Sequence, residues 1–96
     1  MSRLDLQLKP QKSKDIVFQA MPPESVLLNL ETGYYYSTNR LGSEIWQQCD
    51  GQTAVSALIG NLHRLFDVDM AQLTEDVLMF IEQMVAEGLL KVDGHD

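Results

Sequence analysis

The chain has one cysteine, Cys49, among its 96 residues, which excludes an intramolecular disulfide and any paired-thiol zinc or redox site. Histidine is scarce too. Only His63 and His95 are present, and neither stands at a spacing from a Ser or Cys that builds a nucleophile with its base. The glycines are scattered singly, so no glycine-rich phosphate loop links a strand to a helix start. Asp67, Asp69, Glu75 and Asp76 lack the glycine and the regular oxygen spacing of a calcium loop. The expectation is therefore no catalytic residue, no metal site, no cofactor and no enzymatic activity.

Long apolar runs are also missing. The opening residues alternate charge with Leu instead of joining a basic start to an apolar block, so neither a membrane-spanning nor a secretory segment is expected. With a single thiol, the cytoplasm is the expected compartment. Positive charge is sparse after the first helix begins: from Ser43 onward only Arg64 and Lys91 oppose ten carboxylates, within a net charge of -7.

What is present fits one domain. Residues 1–14 carry Pro10 and several charges without a sustained apolar pattern and read as a flexible or loosely docked N-terminal arm. Ile16, Phe18 and Ala20 alternate with Val17 and Gln19. Pro22 and Pro23 interrupt, and Val26, Leu28 and Leu30 resume the alternation with Leu27 and Asn29 between them, which predicts two strands. Glu31, Thr32 and Gly33 form a hairpin connector in which Gly33 supplies the positive φ of a bulged loop, leading into an aromatic strand at Tyr34, Tyr35 and Tyr36.

At Asn39 the period changes. Asn39 is a good N-cap for a short helix carrying Leu41, Ile45, Trp46 and Cys49, closed by Asp50-Gly51. Thr53 is expected to cap a second helix with Val55, Leu58, Ile59, Leu62, Leu65 and Phe66 on one face. Asp69 and Gln72 resemble a capping box for a third helix, with Leu73, Val77, Phe80, Ile81 and Met84 inward and a stop at Gly88. Leu89 to Val92 follow as a short strand or a trailing segment. The expected fold is α+β and winged-helix-like, an N-terminal three-stranded antiparallel sheet followed by three helices, over residues 15–92, with residues 93–96 a tail.

The run Gly33-Tyr34-Tyr35-Tyr36-Ser37-Thr38-Asn39-Arg40-Leu41-Gly42-Ser43-Glu44-Ile45-Trp46, followed by Asp50-Gly51 and Thr53, resembles the signature of PqqD-like domains, the recognition elements of peptide-modification pathways. The resemblance extends from about residue 26 to residue 90 and points to the broad family rather than to the member serving pyrroloquinoline quinone synthesis. Thr38 departs from the Leu often found before the Asn.

The resemblance implies a peptide-binding chaperone that captures the leader of a ribosomally made precursor peptide by adding it as a strand to a free sheet edge. It presents the leader to a separate modifying enzyme such as a radical S-adenosylmethionine enzyme, a cyclase or a leader peptidase. On that basis Tyr34, Tyr35, Tyr36 and Ser37 form the receiving strand, and Gln72, Asp76, Met79 and Gln83 border the groove from the third helix. Met79 would give an adaptable apolar contact, and Asp76 would favour a basic leader residue.

The same layout serves winged-helix DNA-binding regulators, but a duplex binder needs cations along its recognition helix. Here the third helix offers Glu75, Asp76, Glu82 and Glu87 instead, so no nucleic-acid partner is expected. A general protein-interaction or dimerisation domain using the same edge is the other alternative.

Overall fold

The computed structural model describes residues 5–92. Residues 1–4 and the expected tail 93–96 lie outside the described residues. The chain runs through β1 (Pro10–Lys12), β2 (Ile16–Met21), β3 (Glu24–Asn29), β4 (Tyr35–Thr38), α1 (Arg40–Gln47), α2 (Val55–Leu65), α3 (Met70–Ala86) and β5 (Leu90–Val92). β2, β3 and β4 form the expected three-stranded antiparallel sheet, with β3 in the centre. The expected last short strand is β5.

The arm expected over residues 1–14 is not loosely docked where it is described. β1 pairs antiparallel with β5 in a separate two-stranded sheet, with Pro10 opposite Val92. The Leu8 and Leu6 carbonyls accept the backbone N–H groups of Val55 and Ser56, each at 2.9 Å. These are first-turn donors of α2, which have no partner inside the helix. That contact also corrects the expected cap: the N-cap position is Ala54, which makes no side-chain cap. Thr53 instead donates its own N–H to Asp50 Oδ1 at 2.9 Å. Lys12 ties β1 to the end of α1, its Nζ 3.4 Å from the Gln47 and Cys49 carbonyls and over the Trp46 ring.

The helix ends otherwise follow from local chemistry. Asn39 accepts the Gly42 N–H on its side-chain oxygen at 2.9 Å. Asp69 Oδ2 accepts the N–H groups of Ala71 and Gln72, but no reciprocal box forms, because the Gln72 amide reaches forward to Asp76. At the far end Leu89 N–H donates to the Met84 carbonyl and Gly88 N–H to the Val85 carbonyl, with Gly88 at φ 77°. This is a Schellman stop, and it turns the chain directly into β5.

The core gathers Trp46 and Ile45 from α1, Val55, Leu58 and Leu62 from α2, and Leu73, Val77 and Ile81 from α3, closed by Leu89 and Leu90. The alternation of β3 runs so that Ser25, Leu27 and Asn29 are the buried residues, and Leu27 alone of these is apolar. The two polar ones are satisfied: the Ser25 and Ser43 hydroxyls bond at 2.7 Å, and Asn29 Oδ1 accepts the Glu31 and Thr32 N–H groups. Val26 and Leu28 therefore face away from the helices, and Leu30 leaves the strand for the loop, 58% exposed. The β3–β4 loop keeps the expected bulge, with Gly33 at φ 81° donating to the Asn29 carbonyl.

Candidate functional site

β4 is an edge strand: its only ladder among the described residues is with β3, in the register Leu28↔Tyr35, Leu27↔Tyr36, Val26↔Ser37 and Ser25↔Thr38. The Asn29 N–H donates to the Tyr34 carbonyl at 2.9 Å, which makes that pair a hydrogen-bonded one. Antiparallel ladders alternate, so Tyr36 and Thr38 turn their backbone groups toward β3, whereas Tyr35 and Ser37 turn theirs outward to the free edge. These outward N–H and C=O groups are what an added strand engages.

Beside this edge lies an open groove of about 470 Å³. One wall is Ser37, Thr38 and Asn39, the floor is Leu41, Gly42 and Ile45 of α1, and the opposite wall is Asp76, Met79, Phe80 and Gln83 of α3. The α3 residues recur at intervals of three and four, one face of the helix. Gly42 makes the groove possible. A Cβ there would collide with the Thr38 hydroxyl and stand 3.0 Å from Phe80 Cε1. Asp76 is the one charged residue lining the groove, and it accepts a hydrogen bond from Gln72 Nε2 at 2.9 Å.

Among the residues expected from sequence, Ser37, Asp76, Met79 and Gln83 come together around the groove. Gln72 stands one turn beyond, touching the groove through Asp76. Tyr36 turns inward and packs partly against the core. Its phenol is held above the ordinary tyrosine range by its hydrogen bond to Glu87, by burial and by the Glu87 charge. Tyr34 and Tyr35 project into solvent, 74% and 69% exposed.

Phe80 was expected in the core and does pack against it, yet it also lines the groove. Its place between Asp76 and Gln83 on one helical stripe is the signal for this second role. Asn39, Leu41, Gly42 and Ile45 were legible only as capping, packing and close-approach residues, because the groove they line exists only once α1 meets α3.

No group of three or more His, Cys, Asp or Glu among the described residues is placed to hold a metal ion. Cys49 is fully buried, and burial pushes its thiol up to about 12, against a smaller opposing effect of Lys12. The thiol is therefore protonated and inert near neutrality.

The family model for coenzyme PQQ synthesis protein D (PqqD) matches residues 24–90. The chain belongs to the PqqD family. The matched span of this PqqD-family chain begins at β3 and ends at the start of β5, so it contains both the β4 edge and the α3 wall. Among solved structures, TbiB1 in complex with the TbiA(beta) leader peptide is similar at TM-score 0.75 and 23% identity, over 90% of this chain and 98% of that one. A lasso peptide synthetase B1 complexed with its leader peptide is similar at TM-score 0.75 and 16% identity, over 86% of this chain and 98% of that one. At these identities the likeness is one of fold. No curated protein matches the sequence significantly.

Proposed function

We propose that this PqqD-family chain is a non-enzymatic peptide-binding module that captures the leader of a ribosomally made precursor peptide and presents it to a separate modifying enzyme. The observation that carries the reading is the free β4 edge, with Tyr35 and Ser37 aiming unpaired backbone groups along a groove walled by α3. An extended peptide added there gains backbone hydrogen bonds from the edge and side-chain contacts from the groove. Support also comes from the family match and from the two similar folds, both solved with a leader peptide. The reading places the chain in the broad recognition-element family, with a radical S-adenosylmethionine enzyme, a cyclase or a leader peptidase as the class of partner.

The groove selects by chemistry. Met79 and Phe80 offer apolar contact, and Asp76 favours a basic leader residue beside it. A DNA-binding role finds no support in α3, whose charged residues are all acidic.

The test is a titration of isotope-labelled protein with a synthetic leader from a short precursor encoded beside its gene, with duplex DNA as control. Leader capture predicts saturable shifts along β4 and the α3 stripe and silence with DNA. Met79→Asp changes a side chain that is 59% exposed, so the fold is retained while binding weakens about tenfold, from placing a charge against an apolar contact. A silent leader and a responsive duplex would replace this reading with a regulator.

A further inference from the structure

We infer that the captured leader is read on its outward side as well as in the groove, through an aromatic or branched apolar residue that packs beside Tyr35. The inference rests on the leader-capture reading above and adds a second specificity position to it.

The register of the main sheet builds two cross-strand rows on the face turned away from the helices. One is Val17, Leu28 and Tyr35; the other is Gln19, Val26 and Ser37. The first row is wholly apolar in its body. Val17 is 42% and Tyr35 69% exposed, and Leu28 is half-buried without packing against the core. On β3 the polarity is inverted relative to an ordinary one-sided sheet: Ser25 and Asn29 face inward while Val26 and Leu28 face outward. Neither β2 nor β4 contains a charged residue, so the sheet lacks the edge charges that usually guard an exposed apolar face. A row of this kind, ending at an open edge, has the character of an unfinished interface.

A strand added to β4 finishes it. Leader side chains sharing the Tyr36 face enter the groove, and those sharing the Tyr35 face extend the outer rows. Both backbone groups of Tyr35 point to the free edge, so in antiparallel addition the leader residue opposite it joins a hydrogen-bonded pair with Cα atoms about 5.5 Å apart, within reach of the ring. The neighbouring outward position, two leader residues away, meets Ser37 and accepts a polar side chain. The leader therefore carries one apolar outward residue flanked on both sides by groove-facing residues, and a position two residues away that is not apolar by requirement. A leader, unlike a second copy paired elsewhere on the sheet, continues the row with the same backbone bonds that hold it in the groove.

The experiment is selection from a displayed library of random linear peptides against the wild-type protein and Tyr35→Thr, which removes the ring but keeps a strand-favouring residue. The expected result is enrichment of aromatic or branched residues at one outward position with wild type, and its loss with Tyr35→Thr while the groove positions stay enriched. In a double-mutant cycle, replacing that peptide residue by Thr weakens wild-type binding about two- to fivefold and leaves Tyr35→Thr binding unchanged. The peptide-side change keeps the test valid should the protein variant fold poorly. Captured peptides with no preference at the outward position overturn this inference and leave leader capture standing. No captured peptide at all overturns leader capture itself, and this inference with it. Self-association that depends on Tyr35 assigns the row to a second copy and also overturns it.

Discussion

At the scale of single residues, Gly42 carries the most consequence. It lies where β4, α1 and α3 meet, and a methyl group there collides with Thr38 and crowds Phe80. Gly42→Ala is expected to destabilise the fold by about 1–3 kcal/mol, the usual penalty of overpacking, seen as a lower denaturation midpoint with an unchanged slope. The close approach at Gly42 was legible from sequence, though not its partner Phe80; the Asn39 cap, the positive φ of Gly33 and the inward place of Cys49 were legible because each depends on near neighbours in the chain. Thr53 was not, since the donors it was expected to satisfy are met by the carbonyls of Leu6 and Leu8, far upstream. Local capping rules have no means of seeing such a partner.

At the scale of elements, the N-terminal segment departs most from its sequence reading. Its attachment is made chiefly by backbone groups, the β1–β5 ladder and the two carbonyls at the start of α2, with only the scattered side chains of Leu8, Pro10 and Lys12 reaching inward, and such pairing leaves no apolar period to detect. Deleting residues 1–12 is expected to cost about 2–4 kcal/mol, at roughly 1 kcal/mol per net hydrogen bond lost. Faster amide exchange at Val55, Ser56 and β5 would localise the damage, and unchanged exchange there would contradict the docking. The α3 stripe, by contrast, was legible as a periodic set, except that Gln72 lies one turn beyond the groove and Phe80 takes a double role. The strand phase of β3 was obscured because its outward residues are more apolar than two of its three buried ones, the same inversion that leaves the outer face open.

At the scale of the whole molecule, the pH dependence of stability follows from Asp50 at the acid end and from Tyr36 and the buried Cys49 thiol at the alkaline end. Asp50 is held below the ordinary carboxylate range, chiefly by the Gln52 N–H and then by Thr53 through its N–H and hydroxyl, with burial opposing. A depressed folded value contributes stability that is present above the unfolded pKa of about 3.9. It is lost as pH falls through the folded value. At the other end the raised values of Cys49 and Tyr36 contribute stability that is present below their unfolded values, about 8.5 and about 10, and is lost as pH rises through the folded ones, about 12 for Cys49. Thermal melts across pH are thus expected to show a plateau between these limits, with the acid slope reduced in Asp50→Asn and the alkaline slope reduced in Tyr36→Phe.

Amide hydrogen exchange read residue by residue shows whether β4 receives a peptide strand. With strand addition, a bound leader slows exchange at Tyr35 and Ser37, whose N–H groups face the free edge, and leaves Tyr36, already paired with β3, nearly unchanged. Binding that protects α3 while Tyr35 and Ser37 exchange as fast as in the free protein would contradict strand addition.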